Sequence, residues 1–383
     1  MAEAYIVEAV RTPIGRRGGG LAGAHPADLG AHVLKALLER SGVDPAAVED
    51  VIFGCVDQVG AQSFNIARTA WLSAGLPEEV PATTVDRQCG SSQQALHFAA
   101  QGVLAGVYDL VIAGGVEVMS LVPIAGGALA GMRAGYGSPY GGQGWLARYG
   151  DQEISQFRGA ELMAEHWDMS RTALEEIAFA SHVHAARAWA EGRFDREVVP
   201  YGTVTRDEGF RPDVSTEKMA ALQPLRPGGR LTAATSSQIS DGAAALLVAS
   251  EAGARRFGLR PRARVHAMAL AAADPVMMLN APIPATQRVL KNAGLALDDI
   301  DLFEINEAFS PVVLAWQLET GADLERTNVN GGAIALGHPL GASGAKLMTT
   351  LLHELERRGA RYGLQTMCEG GGMANATVVE RLG

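Results

Sequence analysis

The feature that most constrains the fold of this 383-residue chain is an internal repeat at an offset of about 250 residues. Two stretches, 88–108 and 327–345, contain no Asp, Glu, Lys or Arg. Each precedes a short apolar run that leads into glycines, at 110–113 and at 364–367. Their Gln, Asn and Gly content is too polar for a membrane span. Each stretch therefore predicts a helix that is buried on all sides, between two sheets.

Two further matches support a duplication. The apolar run 51–54 matches 302–305 about 252 positions later, and Cys89 matches His338 249 positions later. Matches in one order at nearly one offset predict two halves of alternating helix and strand, each an α/β unit of βαβ type. Residues between the halves match neither, and their first part, 119–150, is expected to be an irregular loop. The predicted domains are the N-terminal half 1–118 plus 241–259, the inserted loop domain 119–240, and the C-terminal half 260–383.

Composition narrows the class of function. Apolar residues make up 48% and charged residues 19%, which excludes a disordered chain. A net charge of −10 argues against nucleic-acid and membrane-surface partners. Three cysteines without a CxxC pair argue against a disulfide framework and a zinc site, and we expect a cytoplasmic protein with no metal. Since no glycine-rich nucleotide motif opens a helix, neither a nicotinamide nor a flavin cofactor is expected.

Two residues at matching points of the halves could perform chemistry. Cys89 lies just before the first buried helix, in Val85-Asp-Arg-Gln-Cys-Gly-Ser-Ser. A thiol at a helix N-terminus is expected to have a lowered pKa, and the free N–H groups there could hold an oxyanion. His338 lies between glycines that let the backbone bring its ring close to a reacting group. The alternatives are a small buried cysteine and a turn histidine bound to backbone.

Two other residues follow apolar runs of the C-terminal half. Cys368 opens the sequence Cys-Glu-Gly-Gly-Gly, whose bare N–H groups could form a second anion-binding nest. Read alone, it could also be a core cysteine at a strand end. Asn306 could hold a water or a carbonyl oxygen without a change of charge, or it could be a helix N-cap.

Four segments together resemble the thiolase family: Asp86-Arg-Gln-Cys-Gly-Ser-Ser, Asn306-Glu-Ala-Phe, Gly337-His-Pro and Cys368-Glu-Gly-Gly-Gly. They occur in the family's order and spacing, and the resemblance covers almost the whole chain. It implies the thiolase fold, an α/β structure of two duplicated halves in five layers (αβαβα) with an inserted loop domain. It also implies a homodimer or homotetramer that binds an acyl-CoA substrate and uses coenzyme A as co-substrate.

The resemblance further implies an acyltransferase that cleaves 3-oxoacyl-CoA, the reverse of a Claisen condensation. Cys89 would attack the 3-keto carbon and hold the acyl group. Cys368 would protonate the acetyl-CoA enolate and then take the proton of the incoming CoA thiol. His338 would activate Cys89. In family terms His338 and a water on Asn306 form one oxyanion hole, and the N–H groups of Cys89 and Gly370 form the other.

The resemblance also carries expectations for the substrates. Ser237 matches a serine that contacts the pantetheine arm in relatives, and Arg211 is the candidate for the CoA phosphates, with a solvated basic turn as its alternative. Biosynthetic acetoacetyl-CoA thiolases carry a His-Met pair where this chain has Ser155 and Gln156. The segment around Cys89 is most similar to actinobacterial degradative thiolases of the steroid or fatty-acid type. We therefore expect a medium, long or polycyclic acyl group, with a biosynthetic acetoacetyl-CoA thiolase as the alternative.

Three other functions fit parts of the pattern. A decarboxylating ketoacyl synthase shares the fold and the cysteine but has no acid–base thiol, so Cys368 argues against it. A non-catalytic acyl or sterol carrier on the same core usually lacks a catalytic residue, and none is missing here. A papain-like Cys/His hydrolase predicts hydrolysis in the absence of free CoA.

Overall fold

The computed structural model describes residues 2–383. Within these residues the strands are β1 (Ala4–Arg11), β2 (Gly15–Arg16), β3 (Asp50–Gly54), β4 (Ala82–Val85), β5 (Leu110–Val118), β6 (Ser240–Ser250), β7 (Ala263–Ala272), β8 (Leu302–Ile305), β9 (Tyr362–Glu369) and β10 (Met373–Arg381). The helices are α1 (Pro26–Ser41), α2 (Ile66–Ser73), α3 (Ser91–Leu104), α4 (Gly126–Arg133), α5 (Gln143–Tyr149), α6 (Gln156–His166), α7 (Arg171–Ala190), α8 (Thr216–Ala220), α9 (Glu251–Arg256), α10 (Pro282–Ala293), α11 (Ser310–Thr320), α12 (Ala333–Leu336) and α13 (Ser343–Arg358).

The strands form a mixed sheet in the order β4-β3-β5-β6-β1-β7-β10-β9-β8, with β2 paired to β6. In the first half, β3 pairs with β5 in parallel, and β5, β6 and β1 then pair antiparallel. In the second half, β8 pairs with β9 in parallel, and β9, β10 and β7 then pair antiparallel. The two halves meet where β1 and β7 share only two residue pairs. The repeat of the sequence is thus a repeat of strand arrangement, while the three domain boundaries stay a prediction.

Alternating side chains of the strands divide the core into layers. On β6, Ala243, Ala245 and Leu247 pack on α1 and α2, whereas Leu246 and Val248 face α3 and α13 on the other side. The outer face of the second half packs on α10 and α11. The layers are therefore the outer helices of the first half, the strands of that half, the central pair α3 and α13, the strands of the second half, and its outer helices. These are the five layers that the resemblance implied.

The central helices α3 and α13 are buried because they lie between the strands of the two halves. All residues of α13 from Ser343 to Leu355 are buried. Gly344 permits its close approach to α3, since a Cβ there would lie 2.3 Å from the main-chain nitrogen of Gln93. The Gln93 side chain donates to Thr377 Oγ1 at 2.8 Å, which satisfies a polar group in this interior.

Residues between β5 and β6 form a helical insertion. The part expected to be an irregular loop contains two short helices, α4 and α5, neither of which has a buried residue. Short helices in a glycine-rich segment are difficult to predict from the sequence, because each glycine lowers the helix propensity. The buried guanidinium of Arg11 ties the insertion to β1 through Glu197 at 2.6 Å and Asp207 at 2.7 Å. Across residues 2–383, none of the helices has both the length and the apolar character that a bilayer crossing requires.

Candidate active site

Cys89 lies at the N-terminus of α3, one residue before the N-cap Gly90. Although the residue is partly exposed, its thiol is surrounded by protein. Burial raises the pKa of Cys89 to about 12, and the charge of Glu369 adds to this effect. The N–H groups of Cys89 and Gly370 both face the sulfur and lower its pKa in part. The expectation of a lowered pKa for Cys89 is therefore wrong, because desolvation outweighs the effect of the helix N-terminus.

His338 is buried and held in one tautomer. Its Nδ1 lies 2.5 Å from Ser343 Oγ, and that hydroxyl donates to the carbonyl of Pro339 at 2.8 Å. Since the serine proton is used, Nδ1–H must be the donor to Ser343, which leaves a lone pair on Nε2. Burial lowers the pKa of His338 to about 3, so the ring is neutral at physiological pH. A neutral ring whose Nε2 carries no proton can accept one.

Asn306 lies directly after β8, where its side-chain amide Nδ2 is 3.3 Å from His338 Nε2. Its Oδ1 is buried and has no hydrogen-bond partner in the described chain. An amide oxygen left free in this way is suited to hold a water. Asn306 is not a helix N-cap, because α11 begins four residues later, at Ser310, with Phe309 as its N-cap.

Cys368 lies in β9 and is fully buried. Burial raises its pKa well above the usual value, and the proximity of Cys89 raises it further. The two sulfurs are therefore close enough to influence each other's ionisation. Apolar residues pack in the same cluster as Cys368, among them Met163, Leu231 and Phe309.

The two candidate CoA contacts differ in their placement. Ser237 is partly exposed, and its N–H donates to the carbonyl of Ala308 at 2.9 Å, which puts it beside the loop that holds Asn306. Arg211 is exposed, and its N–H donates to His182 Nδ1 at 3.2 Å. In the described residues its side chain makes no hydrogen bond or ion pair with any other candidate. Hydrogen bonds thus link Ser237, but not Arg211, to the loop of Asn306.

Comparison with known proteins identifies the family. Models of the thiolase N-terminal and C-terminal domains match residues 4–252 and 259–381. The chain belongs to the thiolase family. It is 59% identical over 387 residues to steroid 3-ketoacyl-CoA thiolase FadA6 of Mycobacterium tuberculosis, covering 100% of this chain and 95% of that one. It is 44% identical over 399 residues to the 3-ketoacyl-CoA thiolase of Aliivibrio salmonicida, covering 100% of both.

A solved structure supports the same assignment. The crystal structure of the Bacillus anthracis acetyl-CoA acetyltransferase matches with a TM-score of 0.89 and 36% identity, over 100% of this chain and 99% of that one. The predicted family, the thiolase fold and the enzyme class, an acyltransferase, are thereby confirmed.

Sequence reasoning missed Glu117, which fixes the histidine loop of this thiolase. Its buried carboxylate accepts from the N–H groups of Val56 and Gly341, both at 2.9 Å, and of Asp57 at 3.2 Å. Gln62 donates to it at 2.7 Å. Burial raises the pKa of Glu117 to about 7, against the effect of these donors. A single acidic residue within the apolar strand β5 was the available signal.

Proposed function

We propose that this thiolase cleaves a 3-oxoacyl-CoA with a medium, long or polycyclic acyl group, using coenzyme A as the second substrate. The observation that carries the proposal is the close contact between the segments of Cys89 and Cys368, with the N–H of Gly370 facing the Cys89 sulfur. A Cβ on Gly90 would lie 2.0 Å from Glu369 Oε1, and a Cβ on Gly370 would lie 2.8 Å from Gln88 Oε1. The names of the relatives from M. tuberculosis and A. salmonicida support the substrate class.

Cys89 and His338 are both neutral at rest, so the thiol must lose its proton during acylation. His338 takes the Cys89 proton on Nε2 while the sulfur attacks the 3-keto carbon. The carbonyl oxygen gains negative charge, and the N–H groups of Cys89 and Gly370 receive one such oxygen. The bond between C2 and C3 then breaks, which leaves the acyl group on Cys89 and the enolate of acetyl-CoA.

The second half of the cycle uses Cys368. His338, with a water on the free Oδ1 of Asn306, stabilises the enolate oxygen, and Cys368 gives its proton to the enolate carbon. Acetyl-CoA leaves, and Cys368 takes the proton of an incoming CoA thiol. The CoA thiolate so formed attacks the acyl carbon, the bond between that carbon and the Cys89 sulfur breaks, and Cys89 takes back its proton from His338.

The acyl group would lie against an apolar wall. Phe157 and Phe309 contact each other edge to face, with ring centroids 5.5 Å apart. Ser155 caps α6 through a hydrogen bond from the N–H of Arg158 at 3.2 Å, so its side chain is occupied by the helix end. This arrangement differs from the His-Met pair of acetoacetyl-CoA thiolases and supports a larger acyl group.

CoA would enter along the insertion, with its pantetheine arm at Ser237 and its phosphates at Arg211. We further propose a homodimer or homotetramer, as implied by the resemblance to the family. A cytoplasmic location is supported by three cysteines that are all free.

Intact-protein mass spectrometry tests the covalent step. After incubation with acetyl-CoA, the wild type should gain one acetyl group and Cys89→Ala none. Cys368→Ala should be acylated by 3-oxoacyl-CoA far more slowly, since its enolate is not protonated. Binding of acyl-CoA without acylation would contradict the catalytic proposal and favour a carrier.

A steady-state panel tests the acyl group. Acyl chains of increasing length and a polycyclic substrate are compared with acetoacetyl-CoA at saturating CoA. The highest kcat/KM on acetoacetyl-CoA would contradict the proposed size and favour the biosynthetic alternative. Release of CO₂ from malonyl-CoA would indicate a ketoacyl synthase, and hydrolysis without free CoA a hydrolase.

A further inference from the structure

A buried carboxyl group next to the nucleophile has no hydrogen bond. Glu369 ends β9 and is 0% exposed, yet neither of its oxygens has a partner in the described residues. Buried carboxylates normally accept hydrogen bonds or form ion pairs, because an unpaired charge is strongly disfavoured there. The absence of both indicates that this side chain is not held as an ordinary anion.

The side chain lies against the start of α3. A Cβ on Gly90 would be 2.0 Å from Glu369 Oε1 and 2.7 Å from Asn375 Nδ2, so all three residues touch one small space. Asn375 Nδ2 donates to the Gly90 carbonyl at 2.9 Å. The charge of Glu369 raises the pKa of both Cys89 and Cys368, so the carboxyl group lies near both thiols.

Counting polar atoms suggests the protonation state. Three acceptors of these two residues lack a partner in the described chain, namely both oxygens of Glu369 and Oδ1 of Asn375. Protonation of Glu369 converts one of these acceptors into a donor. The charged or titratable groups near Glu369 are Arg87, Asp86, Cys89 and Cys368.

We infer that Glu369 is a positioning residue that works as a neutral acid beside Cys89, and that its ionisation opposes formation of the Cys89 thiolate. The effect on catalysis rests on the proposed function: if Cys89 is the nucleophile, ionised Glu369 makes it less reactive and slows acylation. Glu369 itself need not touch the substrate.

The electrostatics agree in sign. Burial raises the pKa of Glu369 to about 8. The charge of Arg87 lowers it in part, as does the nearby N–H of Asn375, although that group does not complete a hydrogen bond, and Asp86 raises it. Below that pH the side chain is neutral and adds no negative charge that would oppose ionisation of Cys89. Above it, two negative charges would lie side by side, so the thiolate is disfavoured. The glutamate thus limits thiol reactivity on the alkaline side.

Alkylation of Cys89 by iodoacetamide tests this without any thiolase turnover. The rate is measured from pH 6 to 10, and the modified peptide is identified by mass spectrometry to separate Cys89 from Cys368. Glu369→Gln keeps the size and removes the ionisation. We expect E369Q to match the wild type at pH 7 and to react roughly tenfold faster near pH 9.5, a shift of about one pKa unit.

Glu380→Gln is the matched control, because it also removes a largely buried carboxylate but lies at the opposite end of the neighbouring strand β10. Its alkylation profile should follow the wild type. A profile of E369Q that coincides with the wild type, or moves to higher pH, would overturn the inference.

The stability of two Glu369 variants is a second test of the neutral state. A side chain that is neutral in the native state should be replaceable by neutral residues of its size, so E369Q and Glu369→Met should both fold, as judged by thermal unfolding. Failure of both to fold would overturn the inference. A thiolase inactive on every 3-oxoacyl-CoA could still show the alkylation shift, so the two proposals fail separately.

Discussion

Ser343 holds the proton of His338 on the correct nitrogen, and its removal is the most direct test of that geometry. In Ser343→Ala, the buried Nδ1–H loses its acceptor at 2.5 Å, whereas the carbonyl of Pro339 keeps the backbone N–H donors of positions 342 and 343. The ring can then shift its proton to Nε2, where the lone pair needed for the Cys89 proton disappears. His338 would then carry its proton on Nε2 and could not accept the Cys89 proton there, although all the proposed catalytic side chains are present.

The magnitude follows from the lost hydrogen bond. Leaving a buried donor unsatisfied costs about 1–3 kcal/mol. Taking the middle, about 2 kcal/mol favours the wrong tautomer and slows acylation roughly 30-fold. KM should change little, because Ser343 is buried behind the ring and away from the proposed CoA contacts.

Rapid-quench acylation of Cys89, followed by intact mass, is the assay. Ser310→Ala is a matched control, since Ser310 is also fully buried but its Oγ has no hydrogen-bond partner in the described chain. The control should acylate at the wild-type rate. Wild-type acylation in Ser343→Ala would refute the tautomer argument.

Three further changes test the fold. Gly344→Ala places a Cβ against the main chain of α3 and should lower the free energy of unfolding by about 3 kcal/mol in urea titrations, whereas Gly127→Ala, with nothing within 4 Å, should not be destabilising. Burial lowers the pKa of His97 to about 3 in the folded protein, whereas its value in the unfolded chain is about 6.5. The contribution of His97 to the free energy of unfolding is therefore complete above pH 6.5 and is lost as the pH falls below that value. Between pH 7.5 and 5 the wild type should therefore lose about 2 kcal/mol more than His97→Gln, and equal losses would contradict this. Arg11→Met leaves two buried carboxylates unpaired and should cost about 3–5 kcal/mol, while the exposed Lys218→Met should change the unfolding midpoint little.

The sequence predicted those parts of the fold that depend on a pattern. The charge-free stretches identified the central helices. The glycine-rich settings of His338 and Cys368, which permit close backbone approach, led to the prediction of reactive positions, and that part stays a prediction. Long-range effects could not be read in this way. The pKa of Cys89 depends on burial between sheets, and the role of Ser343 depends on a ring five residues away whose orientation only the fold decides.

The burial that defines this site also determines how its chemistry must proceed. The pKa values of about 12 for Cys89 and about 3 for His338 make a resting thiolate–imidazolium pair unfavourable. The proton therefore has to move while the carbon–sulfur bond forms, when the negative charge passes to the substrate oxygen rather than staying on sulfur. The N–H groups of Cys89 and Gly370 are fixed before that charge exists, so they stabilise the transition state more than the neutral resting site. A duplicated fold that places Cys89 and His338 ahead of two packed central helices supplies both the burial that keeps the resting thiol protonated and the oriented donors that the reaction requires.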